Sequence, residues 1–255
     1  MSKVSLSGYV EALSDASNLA QAAISLVDIG KAVGLDRPAV VADFTADHVE
    51  MGCQDALLNQ IFGWLPAQVR DLSTQPLNQV CPIGRACRIA TQPFAWESAN
   101  IGAAEITWDH NSQAFWRSAA ENGIFGGVTV PVHMPLSRVG AVGWLALGRR
   151  VELNAIVKAH SNMLRLAAQL FMDQVYRERP KGQSKLQEAA LSVRELECLT
   201  WVALGKTDID IGELISRSPS TARFHVESAV EKLGVNNRTR AAAVASQMGI
   251  IRAVS

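Results

Sequence analysis

The final seventy residues alternate amphipathic helical segments with short polar stretches that end a helix. Ser192 can cap a first helix, because Glu195 follows three residues later in the spacing of a capping box, and Gly205 can end it. Thr207 can cap a second helix, whose two aspartates in the first turn suit the positive end of the helix dipole. The pattern therefore predicts two helices, the second of them short.

A third and a fourth helix are predicted after a tight turn. Ser218 can cap the third helix, Pro219 fits its first position, and Gly234 can end it. The fourth is predicted from Arg238 to Met248. Two short helices joined by a tight turn form the helix-turn-helix arrangement, whose second helix enters the major groove of DNA. Periodicity alone also allows a plain helical bundle.

The third predicted helix has two faces of different chemistry. Its apolar face would hold it on the bundle through Ala222, Val226, Ala229, Val230 and Leu233. The remaining positions point outward and are mainly polar: Ser220, Thr221, Arg223, Phe224, Glu227, Ser228 and Glu231.

The first 176 residues mix helical periodicity with short β-branched runs. Helices are predicted at Leu6–Val33, Gln54–Gln68, Asn111–Glu121 and Val151–Tyr176. Strands are predicted at Pro38–Phe44, Pro93–Glu97, Gly127–Val132 and Val139–Leu147. An antiparallel sheet with helices on both faces is the expected product, which is an α+β domain built as an αβα sandwich.

Charge and composition add a domain division to this picture. The chain carries 24 basic and 24 acidic side chains, so its net charge indicates no partner. Residues 177–185, however, hold four basic groups, one acidic group, a proline and a glycine. We therefore predict a linker at 177–187 between a sensor and dimerisation domain at 1–176 and a helical domain at 188–255.

Several classes of protein are disfavoured by what the sequence lacks. It has no apolar run long enough to cross a membrane and no secretory signal, so we expect a cytoplasmic protein. The cysteines form no CxxC pair, which argues against a disulfide framework or a zinc site and suggests buried apolar residues: Cys53, Cys81, Cys87 and Cys198. The five histidines stand in no HExxH motif, and no GxSxG motif or phosphate loop occurs. We expect no enzyme, no cofactor and no metal.

A phosphorylated response regulator is also disfavoured. Such a protein needs an acidic pair after its first strand, a phosphoacceptor aspartate and a later lysine. Asp43 and Asp47 do not supply that set.

The C-terminal region resembles the LuxR-type helix-turn-helix. The resemblance covers about sixty residues in order and at the usual spacing, in the segments Leu191–Leu199, Gly205–Thr207, Ile211–Leu214, Ser220–Val226, Lys232–Val235, Asn237–Arg240 and Gly249–Ile251. It implies a four-helix, all-α domain in which Glu195, Leu199 and Gly205 are framework positions.

The same resemblance implies a set of DNA contacts. Base contacts fall to Arg223, Phe224 and Glu227. Hydroxyl and ammonium groups that position a protein on the phosphates complete the set of candidates: Lys206, Thr207, Ser220, Thr221 and Ser228.

Glu227 and Glu231 depart from the family, which often has basic or neutral polar residues there. Because phosphate neutralisation supplies most non-specific affinity, binding should be weak unless dimerisation or the basic linker helps. Two interpretations of Glu227 stay open: it accepts a hydrogen bond from cytosine, or it pairs with Arg223 four residues earlier.

Parts of residues 60–170 resemble the autoinducer-binding domain of acyl-homoserine-lactone receptors, a fold similar to GAF and PAS domains. The segments that carry the resemblance are Cys81–Pro82, Phe94–Trp96, Asn122–Pro131 and Gly140–Ala141. It implies a pocket between sheet and helices, and our candidates for ligand contact are Trp64, Gln68, Leu72, Cys81, Trp96, Phe115, Thr129 and Gly143.

Four of these positions lack the residue that the family has. Gln68 stands in place of a tryptophan, Leu72 of a tyrosine, Cys81 of the aspartate that accepts the ligand amide, and Gly143 of a serine or threonine. An ordinary acyl-homoserine lactone should therefore bind feebly. Three explanations stay open: a more apolar signal, a domain that binds nothing and dimerises constitutively, or a slip in the alignment through residues 69–80.

Taken together, the resemblances imply a LuxR-family transcriptional regulator. The expected partners are double-stranded DNA at a pseudo-palindromic promoter site, a second copy of the chain, a small-molecule signal and RNA polymerase, with no membrane. A ligand-independent regulator or an anti-activator that forms heterodimers is the alternative.

Overall fold

The computed structural model describes residues 5–44, 56–65, 81–98, 113–134, 138–178 and 191–251. The chain forms two compact units: the described residues up to 178 belong to the first, and residues 191–251 belong to the second. The first unit contains six helices and four strands within the described residues: α1 (Leu6–Ser14), α2 (Leu19–Ala32), β1 (Arg37–Val41), α3 (Ala56–Phe62), α4 (Pro82–Ile89), β2 (Phe94–Glu97), α5 (Gln113–Glu121), β3 (Ile124–Met134), β4 (Arg138–Leu147) and α6 (Leu153–Arg177).

The four strands form one antiparallel sheet in the order β1-β4-β3-β2. Gly143 lies at the centre, opposite Ala39 on one side and Thr129 on the other. Because side chains alternate between the two faces of a strand, Trp144 points to the opposite face from its neighbours in sequence.

Helices cover both faces of this sheet. On one face, the Trp144 indole donates to the Leu26 carbonyl of α2 at 2.9 Å. A Cβ atom at Gly30 of α2 would stand only 2.6 Å from the Trp144 ring, and one at Gly140 would stand 2.7 Å from Met172 of α6. Helices α4 and α5 lie on the other face. The predicted αβα sandwich is confirmed.

The N-terminal helical region differs from its prediction as a single helix. It is divided into α1 and α2, because the Asn18 side chain accepts from the Gln21 amide and starts a new helix. Helix α3 is also shorter than predicted, since Gly63 takes a left-handed conformation with φ of +76° directly after it. Local hydrogen bonding and a glycine turn therefore override the continuous periodicity.

The second unit has four helices within the described residues, as predicted: α7 (Val193–Ala203), α8 (Asp208–Leu214), α9 (Pro219–Lys232) and α10 (Arg238–Gln247). Capping boxes start α7 at Ser192 and α8 at Thr207, and Ser218 caps α9 by accepting from the Thr221 amide. Gly205 and Gly234 follow their helices with positive φ, which is the backbone conformation of a helix stop.

The turn between α8 and α9 is tightly packed. A Cβ atom at Gly212 would meet three backbone atoms, the nearest being the Arg217 carbonyl oxygen at 2.9 Å. Ser216 has a φ of +53°, which is uncommon outside glycine. The predicted apolar face of α9 is buried through Ala222, Val226, Ala229 and Leu233. The helix-turn-helix arrangement is thus present.

Glu195 joins α7 to α9 from a buried position, with 4% of the residue exposed. Its carboxylate accepts from Lys232 Nζ at 2.9 Å, from the Ser228 hydroxyl at 2.7 Å and from the Ser192 amide at 2.7 Å. Burial alone would raise its pKa, but these hydrogen bonds outweigh burial and lower the pKa to about 2.

We expect Glu195→Gln to destabilise the C-terminal helices by about 2–3 kcal/mol near neutral pH, since Lys232 loses its anionic partner. Because the folded pKa lies below the unfolded value of 4.5, the stabilisation is present above pH 4.5 and disappears as the pH falls towards 2. Chemical denaturation at pH 7 and pH 3 measures both effects. Equal losses of stability at the two pH values would contradict this role of Glu195.

Candidate functional site

A cavity of about 120 Å³ lies between the sheet and helices α4 and α5. Its floor is the face of the sheet opposite Trp144, and its walls come from helices and from residues that follow α3 and β1. The lining residues are Ala39, Val40, Val41, Phe44, Trp64, Cys81, Ile83, Trp96, Phe115, Ser118, Ala119, Asn122, Ile124, Thr129, Ala141, Gly143 and Leu145. None of these described residues carries a charge.

Six of the eight predicted ligand-contact residues line this one cavity: Trp64, Cys81, Trp96, Phe115, Thr129 and Gly143. Gln68 and Leu72 lie outside the described residues. Residues from distant parts of the chain therefore meet at a single site.

Protein partners occupy most of the polar atoms around the cavity. The Trp96 indole donates to the Thr129 hydroxyl at 2.9 Å, and the Trp64 indole donates to the Pro38 carbonyl at 2.8 Å. Asn122 donates to the Ser118 carbonyl at 2.8 Å. The site is suited to an apolar guest because few of its polar groups demand a partner.

Thr129→Val should destabilise the N-terminal unit by about 1–3 kcal/mol, because it leaves the buried Trp96 indole without its acceptor while preserving side-chain volume. Thr129→Ser keeps a hydroxyl and is the matched control. Urea denaturation of both variants measures the difference. If the valine variant is as stable as the serine variant, the hydrogen bond contributes nothing.

Trp96 and Phe115 line the cavity, and both rings pack against Trp116. The Trp96 and Trp116 rings lie 5.5 Å apart, and Phe115 meets Trp116 edge to face at 5.0 Å. Arg37 lies over the Trp64 ring, with its guanidinium carbon 5.0 Å from the ring centroid. Fixed rings such as these give the cavity a defined shape.

Cys81 is buried in the cavity wall immediately before α4. Burial raises the pKa of its thiol to about 11, although the amides of Gly84 and Ile83 act in the opposite direction. Burial likewise raises the pKa of Cys87. Both thiols are therefore neutral at physiological pH, and Cys81 presents a weak hydrogen-bonding group to the cavity. These cysteines and Cys198 are buried, as predicted, and Cys53 lies outside the described residues.

The sequence did not identify the smaller cavity residues, among them Ala39, Val41, Ile83 and Ala141. A usable signal was present, because positions two apart on a strand share a face. Thr129 and Gly143 fix which face of β3 and β4 borders the cavity, and Ala141 and Leu145 follow from that choice.

The second candidate site is the outward face of α9. Arg223 and Glu227 side chains are 69% and 64% exposed, and Arg223 Nε donates to Glu227 Oε1 at 2.8 Å. Phe224 is 65% exposed, which is unusual for a phenylalanine. The Glu227 pairing anticipated from the four-residue spacing is thus present.

Polar residues surround the first turns of α8 and α9. Lys206 and Thr207 are exposed just before α8, and the Thr207 hydroxyl donates a hydrogen bond to the Asp210 carboxylate. The Ser218 hydroxyl lies 2.8 Å from both the Ser220 and Thr221 hydroxyls. These side chains lie at the ends of the two helices that an HTH presents to DNA.

Ser228 is placed differently from the other predicted DNA-contact residues. Its hydroxyl donates to Glu195 at 2.7 Å and so faces the bundle rather than the outside. The expectation that it points outward is corrected, because a buried carboxylate attracts the nearest hydroxyl.

The described residues contain no group of three or more side chains that could hold a metal ion. They also include no helix with the length and apolar character needed to span a bilayer.

Comparisons with known proteins match both units to families. Residues 55–175 match the autoinducer binding domain, and residues 189–245 match the bacterial regulatory proteins of the luxR family. The two matches lie on the cavity-containing unit and on the four-helix unit.

Individual proteins give a consistent result. The chain is 31% identical to the HTH-type transcriptional regulator y4qH of Sinorhizobium fredii, over 81% of this chain and 61% of that protein. It is 30% identical to the transcriptional activator protein ExpR of Dickeya dadantii, over 64% of this chain and 66% of that protein. The chain thus spans just under two thirds of the length of these relatives. Escherichia coli SdiA has a similar fold, with a TM-score of 0.63, 16% identity and 98% coverage of each chain.

Proposed function

Because the chain belongs to the luxR family of bacterial regulatory proteins, we propose that it regulates transcription by binding double-stranded DNA through its C-terminal helices. The observation that carries this proposal is the exposed face of α9, which presents Arg223 and Phe224 beside a buried, tightly capped helical framework. A second helix held in this way is the element that enters a major groove.

The DNA contacts divide into two kinds. Arg223, Phe224 and Glu227 lie on the outward face and are assigned to base edges. Groups at the helix starts are assigned to phosphates, where they fix orientation without reading sequence: Lys206, Thr207, Ser220 and Thr221. Of the residues predicted to contact DNA, Ser228 has the least support, since its hydroxyl donates to Glu195.

The charge of the DNA-binding domain favours a homodimer. Residues 186–255 carry eight basic and eight acidic groups, so one domain offers little general attraction to phosphate. Two copies on a pseudo-palindromic site double the contacts, and the basic residues of the 177–187 linker add to them. This regulator would act in the cytoplasm, with RNA polymerase as a further partner.

We assign the cavity of the N-terminal unit to a small, neutral and largely apolar ligand. A charged ligand would lose its hydration without meeting a counter-charge among the described lining residues. An ordinary acyl-homoserine lactone is disfavoured, because the neutral Cys81 thiol is a poor acceptor for an amide N–H. Ligand binding would stabilise the folded domain and so raise the amount of active regulator.

Mass spectrometry of small molecules extracted from the protein, purified from its native host, tests the ligand assignment. A stoichiometric neutral apolar compound is expected. Recovery of an ordinary acyl-homoserine lactone would overturn the assignment, and recovery of no compound would favour a ligand-independent regulator.

A gel-shift assay with genomic DNA fragments, at low and high salt, tests the DNA assignment. The full chain should bind specific fragments, and Arg223→Ala should weaken binding by roughly 5- to 150-fold. Absence of DNA binding, together with capture of a related receptor chain, would favour an anti-activator instead.

A further inference from the structure

We infer that Arg223, Phe224 and Glu227 form a reading unit that selects a guanine, a thymine and a cytosine in each half-site of the target DNA. This inference rests on the proposed function and deepens it, because it names the bases that the helix recognises. Glu227 lies four residues after Arg223 and three after Phe224 in α9, so it is a neighbour of both side chains on the helix surface.

The Arg223–Glu227 pair leaves the guanine-binding part of Arg223 available. Glu227 takes the Nε–H of Arg223 at 2.8 Å. Within the described part of the chain, the two Nη groups of Arg223 donate to no acceptor. Their paired donors fit the O6 and N7 acceptors of guanine, which arginine binds in a bidentate manner. Glu227 thus holds Arg223 by one edge and leaves the other edge for the base.

Glu227 itself restricts which base it can contact, because its carboxylate accepts hydrogen bonds but donates none. Its second carboxylate oxygen, Oε2, accepts no hydrogen bond from the described residues. A carboxylate beside DNA phosphates is unfavourable unless a hydrogen-bond donor compensates for the repulsion. In the major groove the cytosine N4 amine supplies such a donor, and acidic side chains accept from it.

Phe224 supplies the apolar part of the unit. With 65% of its surface exposed, its ring has no place in the core of the described helices. The C5-methyl of thymine is the apolar group that a base edge presents in the major groove. A phenylalanine next to Arg223 can therefore favour thymine at the neighbouring base pair.

Selection from a random duplex library, using the full-length chain at fixed salt, tests the inference. The selected half-site should contain guanine, thymine and cytosine. Glu227→Ala should reduce the preference for cytosine at one position per half-site by roughly 5- to 150-fold. It should also weaken the preference for guanine, because Arg223 loses the carboxylate that holds it. Glu227→Gln should transfer that preference to adenine, since glutamine binds the adenine N6 and N7 groups.

Glu231→Ala is the matched control. Glu231 is exposed on the same helix, and its loss removes the same charge. Both alanine variants should bind non-specific DNA more tightly, but the cytosine preference should survive Glu231→Ala. If the selected DNA contains no cytosine whose selection depends on Glu227, the inference is overturned but the proposed function stands. Failure to select any DNA would overturn the proposed function as well.

Discussion

A Gly212→Val variant should lose specific DNA binding while its N-terminal unit stays folded. The added side chain would begin 2.9 Å from the Arg217 carbonyl oxygen and 3.0 Å from the Pro219 nitrogen. The first is a backbone atom of the turn between α8 and α9 and the second belongs to the first residue of α9, so relief requires the two helices to separate. An overpacking cost of about 3 kcal/mol corresponds to a loss of affinity of roughly a hundredfold. Fluorescence anisotropy with labelled target DNA measures the loss.

Ser216→Gly is a useful control for this variant because it changes the same turn but should stabilise it. Ser216 has a positive φ, so glycine should relieve strain and stabilise the turn by about 0.5–1 kcal/mol. DNA affinity should be retained. Tight specific binding by Gly212→Val would show that the turn tolerates a wider geometry.

A Cys81→Asp variant should bind an N-acyl-homoserine lactone about 10- to 150-fold more tightly than the unmodified chain. Cys81 borders the cavity and directly precedes α4, where helix amides stabilise a carboxylate. A carboxylate that accepts an amide hydrogen contributes about 1.5–3 kcal/mol, whereas the neutral thiol contributes much less. Isothermal titration calorimetry with the full chain measures the gain.

Cys81→Ser separates the effect of charge from that of size in this experiment. A serine hydroxyl is small and neutral, so the lactone affinity should stay close to that of the unmodified chain. Equal affinities for the aspartate and serine variants would mean that Cys81 does not face the ligand amide.

The helical domain was predictable in detail because its signals are local. Capping residues such as Ser192, Thr207 and Ser218 sit beside the backbone groups they satisfy, and glycines stop the helices directly after them. By contrast, the break between α1 and α2 was missed. An apolar periodicity continues across it, and only the Asn18 cap marks the new start.

The cavity was only partly predictable, because its shape depends on contacts between distant segments. Large residues such as Trp96 and Phe115 were identified, and the structure places them together. The small residue Ala39 gave no signal of its own, since it lines the cavity only through its register opposite Gly143. Ser228 likewise could not be placed from the helical period, because its orientation depends on Glu195, 33 positions earlier.

Because helices pack closely around Trp144, the two faces of the sheet in the N-terminal unit should respond differently when the cavity is filled. Gly30 and Gly140 bring α2 and α6 so near to their face of the sheet that a single methyl group would collide there. Expansion caused by an occupant of the cavity must therefore be taken up on the opposite side. Amide hydrogen exchange should accordingly slow in α4 and α5 on binding, while the exchange rates of α2 remain nearly constant.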